Sequence, residues 1–189
     1  MGCYDGVEDG YMVNPEFALD CIEKVVQASI DEGVYVIIDW HAHDFYPKEA
    51  KAFFGSMARK YGKYPNVLYE LFNEPTHEHF WPEIKAYHEE VIAEIRKYDP
   101  DNIIICGTPS WDQHVDIASE DPITGYDNLM YTLHFYAASH KDGHRARFQT
   151  ALDNGLPIFV TESAGVEHTG NGYFDVEEWK KWIEMMEDN

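Results

Sequence analysis

Glu74 and Glu162 are the two residues whose surroundings most suggest chemistry. Glu74 stands in Asn73-Glu74-Pro75, after the apolar run Val67–Phe72, and Glu162 stands in Thr161-Glu162-Ser163, after Ile158–Val160. Two carboxyl groups flanking a glycosidic bond can break it. One, protonated, gives its proton to the leaving oxygen; the other, ionised, attacks the sugar or activates a water. The protonated member needs a raised pKa, which burial among aromatic rings supplies. A single glutamate at a strand end reads more simply as a solvated or salt-bridged side chain. These two have company: Asp39-Trp40-His41, Thr108-Pro109-Ser110-Trp111 and His134-Phe135-Tyr136 close or follow three further apolar runs. Alternation along a strand puts His134 and Tyr136 on one side. Asn73 brings an amide that can hydrogen-bond a sugar hydroxyl. A competing reading takes His41, His43 and His134 as metal ligands of an amidohydrolase-like barrel. It needs ligands from elsewhere and leaves Asn73-Glu74-Pro75 without a role.

The elements that must carry these groups recur in strict alternation. The runs Val34–Ile38, Val67–Phe72, Ile103–Cys106, Leu129–Leu133 and Ile158–Val160 are short and rich in β-branched and aromatic residues, as strands buried on both faces are. Amphipathic stretches separate them. Asn14-Pro15 opens a helix that Gly33 ends. A second begins near Pro47, with Ala50, Phe53, Phe54, Met57, Ala58 and Tyr61 on one face. A third carries Ile84 to Ile95 and stops before Asp99-Pro100. A fourth spans about Asp142 to Asn154, before Gly155. The last is capped by Asp175 and presents Trp179, Trp182, Ile183 and Met186. Strand and helix in turn, five times, predict an α/β fold with a parallel sheet. Polar groups at the C-terminal ends of several strands favour a (β/α)8 barrel over an open sheet with one switch point. Neither GxGxxG nor GxxxxGKS occurs, which argues against a nucleotide.

The chain has 189 residues with 14 basic and 35 acidic side chains, a formal net charge of −21. Such a charge repels nucleic acid and anionic lipid, so no nucleic-acid or membrane partner is expected. No window approaches the roughly 18 apolar residues of a membrane span. Met1–Asp5 shows no basic stretch leading into an apolar one, so no signal peptide is expected there. Cys3, Cys21 and Cys106 are odd in number and far apart, which predicts free thiols with Cys106 in the core.

Taken together, Tyr35-Val-Ile-Ile-Asp-Trp-His41, Tyr64-Pro-Asn-Val-Leu-Tyr-Glu-Leu-Phe-Asn-Glu-Pro75, Asp99-Pro-Asp-Asn-Ile-Ile-Ile105, Tyr131-Thr-Leu-His-Phe-Tyr-Ala137 and Ile158-Phe-Val-Thr-Glu162 resemble glycoside hydrolase family 5, the retaining endoglucanase (cellulase) type. The resemblance covers nearly the whole chain. It implies a TIM barrel and endo-acting hydrolysis of a β-1,4-glucan by double displacement, with no metal or organic cofactor. It makes Glu74 the acid/base and Glu162 the nucleophile. Asn73 would hold the 2-hydroxyl of the attacked sugar, His41 would touch the same sugar, and His134 and Tyr136 would organise the site. Trp111 matches an aromatic that stacks sugars on the leaving-group side, and reads equally as a rim aromatic. Trp40, Trp179 and Trp182 are expected to pack. The resemblance further implies a β-glucan partner, a monomer when complete, and a secreted or extracellular protein.

Two departures stand out. Ser163-Ala164-Gly165 follows the nucleophile where the family commonly has Trp or another bulky residue and then Gly. The whole chain, 1–189, also reads as one partial catalytic domain: about strands 3–7, with Met1 at the end of strand 2 and the first and eighth strands missing. The family's arginine of the second strand and tryptophan of the eighth have no counterpart, so the fragment alone is expected to be inactive. A third reading follows, a sugar-binding remnant without turnover.

Overall fold

A computed structural model describes residues 8–189; Met1 and Cys3 lie outside them. Five strands and seven helical segments alternate. They are α1 (Pro15–Glu32), β1 (Val36–Asp39), α2 (Pro47–Tyr61), β2 (Val67–Glu70), α3 (Trp81–Ile95), β3 (Ile104–Cys106), the short turns α4 (Pro109–Asp112) and α5 (Val115–Glu120), β4 (Leu129–Tyr136), α6 (Asp142–Asp153), β5 (Ile158–Ala164) and α7 (Val176–Glu187).

The strands form one sheet in the order β1-β2-β3-β4-β5, every neighbouring pair parallel. The order never reverses, so there is no switch point of the doubly wound kind. This is an arc of a (β/α)8 barrel, five strands of the eight. Its convex side carries the helices and its concave side the polar groups. The helix ends obey their local chemistry. Asn14 Oδ1 accepts from Phe17 N at 3.3 Å, Gly33 ends α1 at φ 69°, and Asp175 Oδ1 accepts from Glu178 N at 3.2 Å.

Between sheet and helices the packing is aromatic. Phe53 and Phe54 of α2 meet Trp40, and Phe54 meets Tyr69 of β2. Trp182 of α7 is fully buried and stacks on Phe135 with ring centroids 4.1 Å apart. Each such side chain contributes about 1.5–3 kcal/mol through burial. Trp40 and Cys106 are buried as expected, and Trp179 packs against the core from a partly buried position.

Two details depart from the pattern-based expectation. β1 starts at Val36, leaving Val34 and Tyr35 exposed. β5 runs on to Ala164 and carries an irregularity: Thr132 pairs with Phe159 but His134 pairs with Glu162. Val160 and Thr161 therefore lie opposite the single residue Leu133. This is a bulge, and a bulge re-aims the side chains that follow it.

Candidate active site

The concave face of the arc holds a connected set of polar side chains. Glu70 is the last residue of β2, and the chain continues Leu71-Phe72-Asn73-Glu74. That continuation is held by Leu71 N donating to Ile105 O at 3.0 Å and Asn73 N donating to Trp40 O at 3.1 Å. Pro75 restricts Glu74 to extended backbone. Its carbonyl in turn accepts from Trp111 N at 2.7 Å, which ties the next loop to the Glu74 segment.

That loop is unusual. Ser110, Trp111 and Asp112 all have positive φ, from 57° to 58°. Left-handed backbone at non-glycine residues costs roughly 1–2 kcal/mol each, so the turn needs compensation. The Asp112 carboxyl group supplies part of it, its Oδ1 accepting from Thr108 N at 2.5 Å. Gly107, just before, has no room for a side chain, since a Cβ there would lie 2.2 Å from Phe72 O. The turn sets Trp111 on the rim, 37% exposed, with His77 beside it at 5.2 Å between ring centroids.

From β4, His134 reaches both sides of the site. Its Nδ1 lies 3.0 Å from Glu74 Oε1 and its Nε2 lies 2.8 Å from Thr161 Oγ1. Thr161 donates to Glu70 Oε1 at 2.6 Å. Thr161 thereby accepts from His134 Nε2–H, which leaves Nδ1 of a neutral ring as an acceptor. A protonated Glu74 is the partner that completes this chain. Glu162 accepts from the Tyr136 hydroxyl. Burial and that carboxylate raise the Tyr136 pKa, so the phenol stays protonated and donating.

The β5 bulge makes this arrangement possible. Strict alternation would send Thr161 and Glu162 to opposite faces. Past the irregularity both reach the concave face, Thr161 beside His134 and Glu162 beside Tyr136. One carboxylate oxygen of Glu74, one of Glu162 and a ring nitrogen of His134 lie within 4.8 Å of one another.

The remaining residues named from the sequence also collect here. Asn73 is buried, and its Nδ2 has no hydrogen-bond partner among the described residues, leaving a donor for a ligand. His41 sits at the end of β1, its Nδ1 donating to Asp39 Oδ2 at 2.8 Å. That bond raises the His41 pKa. The metal reading loses its ligand set: the group of described residues that converges closely enough for a cation is Glu74, His134 and Glu162, and it includes neither His41 nor His43. Glu74, His134 and Glu162 have the ligand types for a cation, but His134 is bonded to Glu74 and Tyr136 to Glu162.

Sequence reading passed over the supporting carboxyl groups. Glu70 is buried under the site with Thr132 and Thr161 as donors; burial, then the nearby Asp39, raises its pKa. Asp112 is fully buried and approaches His134 Nδ1 to 3.6 Å; burial, then Glu70, raises its pKa well above the usual carboxylate range. In the sequence Glu70 looks like an interruption of an apolar strand. The position of such an acid in a both-faces-buried run was the clue available.

The comparisons with known proteins agree with one another. The profile of the cellulase family, glycosyl hydrolase family 5, matches residues 4–189. Endoglucanase Z of Dickeya dadantii is 46% identical over 188 residues, which are 97% of this chain and 44% of that protein. An endoglucanase of Clostridium saccharobutylicum is 45% identical over 95% of this chain and 41% of its own. The chain thus spans less than half the length of these relatives. A solved structure from Cytophaga hutchinsonii superposes with a TM-score of 0.94 at 46% identity, covering 100% of this chain and 61% of that one. The catalytic domain of Thermobifida fusca endoglucanase Cel5A gives 0.89 at 36% identity, over 96% and 62%. A form of that domain in complex with cellotetraose gives 0.89 at 35%, over the same shares. The chain belongs to the cellulase family, glycosyl hydrolase family 5.

Proposed function

We propose that the protein hydrolyses internal β-1,4 linkages of a glucan with net retention. The Glu74–Glu162 approach carries the reading. Oxygens within 4.8 Å suit the carboxyl separation of about 5–5.5 Å found in retaining enzymes, and leave no room for the water that inverting enzymes place between theirs. Glu162, oriented by the Tyr136 hydroxyl, attacks the anomeric carbon. Glu74 protonates the departing oxygen and is left as a carboxylate beside the His134 ring. In the second step Glu74, now a base, draws a proton from water, and water displaces Glu162. Asn73 offers its free Nδ2 to a hydroxyl of the attacked sugar and His41 lies over the same sugar. Trp111 stacks a sugar on the leaving side.

A glucan substrate is supported by the endoglucanase relatives and by the cellotetraose bound to the Thermobifida fusca domain. The polymer is too large to enter a cell, which favours work outside it. The test is the anomeric configuration of the first product, followed by proton NMR before mutarotation. Release of the β-anomer supports retention; release of the α-anomer rejects it.

A further inference from the structure

Beyond Glu74 and Trp111 the site opens into a cleft of about 760 Å³. Its far wall is formed by Gln113, His114, His140, His144, Arg147 and His168. The cleft reaches Glu74 but is not lined by Glu162, Asn73 or His41, so under the proposed roles it is the leaving-group side. Its composition runs against the rest of the molecule. The chain carries 35 acidic and 14 basic side chains, yet the one carboxylate lining this cleft is Glu74.

Arg147 stands on α6, half-buried, with no hydrogen bond or ion pair among the described residues. Every other arginine of the chain finds a partner: Arg59 the Tyr98 hydroxyl, Arg96 three backbone carbonyls, Arg145 the carboxylates of Asp142 and Glu178. Around Arg147 the histidines are arranged as donors or left open. His144 Nε2 lies 3.1 Å from Gln113 Oε1, and the His144 ring stacks on His140 at 4.3 Å between centroids. His114 Nδ1 lies 3.6 Å from Asp116 Oδ1 and has no hydrogen-bond partner among the described residues. Burial, and then Arg147, lowers the pKa of His114 and of His144, the latter to about 4. His140 is held down to about 4 by burial and by His144, His168 and Arg147. Among the lining residues Arg147 is the one arginine or lysine and Glu74 the one carboxylate. A half-buried guanidinium without a counter-ion is costly, and a bound anion removes that cost.

We infer that Arg147, with His114 and His144 beside it, forms an anion-binding subsite on the leaving-group side that takes a carboxylate carried by the glycan, as on a uronic acid residue. Guanidinium and carboxylate match as fork to fork, which gives orientation as well as attraction. Long-range steering cannot help an acidic glycan toward a chain of net charge −21. The gain is therefore local and depends on direct contact. At pH 7 His140 and His144 are neutral, so Arg147 supplies the charge; His140, whose Nδ1 accepts from Tyr136 N, keeps its Nε2–H as a neutral donor, while the His144 N–H is given to Gln113 Oε1 and holds that ring in place.

The inference rests on the glycanase reading, and the test separates the two. Titration calorimetry at pH 7 compares cellobiose with cellobiouronic acid, which differ by one carboxylate. The acidic sugar is expected to bind about tenfold more tightly, as a charge-assisted pair adds. The ratio should fall toward one in Arg147→Gln, persist in part in Arg147→Lys, and shrink when salt is raised. A melting temperature near that of the wild type shows that each variant is folded. Equal binding of the two sugars by the wild type, or an unchanged ratio in Arg147→Gln, overturns the anion subsite and leaves the glycanase reading standing. Failure of both sugars to bind overturns both.

Discussion

Glu74 and Glu162 come within 4.8 Å of each other but stand on unlike foundations. The segment under Glu74 leaves β2, all four of whose residues are buried, with β1 on one side and β3 on the other. It is clamped from behind by Trp40 O and from in front by Trp111 N. Glu162 sits on β5, whose strand neighbour among the described residues is β4, and it follows a bulge rather than a regular run. Its placement comes from a bulge, one hydroxyl partner and the pairing to β4. Among the described residues Glu74 is seated by backbone bonds from two neighbouring segments, whereas Glu162 is aimed by the bulge and by the Tyr136 hydroxyl. Substitution tests should expose that asymmetry.

The largest effects belong to the carboxylates themselves and separate their roles. In the full-length enzyme that contains this chain, Glu162→Ala removes the covalent route, and turnover of every substrate should fall to background. Glu74→Ala should cost about 10²–10⁴-fold on glucan, but much less on the first step with an activated aryl glycoside, whose leaving group needs no proton. Azide sharpens the contrast. At position 162 it replaces the nucleophile and gives the inverted glycosyl azide; at position 74 it intercepts the glycosyl-enzyme and gives the retained one. The opposite stereochemistry would exchange the two roles.

Next comes the scaffold of the Glu74 half. Gly107→Ala places a methyl group 2.2 Å from Phe72 O, against backbone that cannot yield cheaply. A loss of about 3 kcal/mol in stability is expected, read as a lower denaturation midpoint. A neutral outcome would show that the Glu74 segment is less rigidly seated than its contacts imply. On the Glu162 half, Tyr136→Phe removes one charge-assisted hydrogen bond. It should lower kcat about 10–100-fold while the melting temperature stays near that of the wild type.

The smallest effect is a pH slope. Burial of His88 under the Glu74 half lowers its pKa to about 4, with Nε2–H donating to Gly107 O at 2.9 Å. An unfolded histidine titrates near 6.5. Between those values the unfolded chain binds the extra proton, so the His88 contribution is whole above about 6.5 and is lost as pH falls toward 4. His88→Gln keeps a donor for Gly107 and should flatten the slope of unfolding free energy between pH 6.5 and 4; an unchanged slope would assign it to other groups.

Much of this was legible in the sequence because strands and helices announce themselves by period. The run Val67–Phe72 and the face from Ala50 to Tyr61 each obey one rule over several residues. Asn73, Glu74, His134, Tyr136 and Glu162 were legible because polar residues at strand ends are conspicuous. The left-handed turn at Ser110–Asp112 was not, since its reason lies in Pro75 and Thr108, partners brought together by the fold. Nor was the shared face of Thr161 and Glu162, because a bulge is a property of two paired strands. Arg147 was invisible for the same cause: a lone arginine on a helix means little until the cleft beside it is seen to lack carboxylates.

The central claim is that Glu162 becomes bonded to the sugar while Glu74 does not. An activated 2-deoxy-2-fluoro-cellobioside slows the second step, so the intermediate accumulates on the protein and can be located by peptide mass spectrometry. The account predicts one added fluoro-cellobiosyl unit on the peptide containing Glu162, absent from Glu162→Ala. An adduct on the Glu74 peptide, or turnover of the reagent with no adduct and an inverted product, would contradict it.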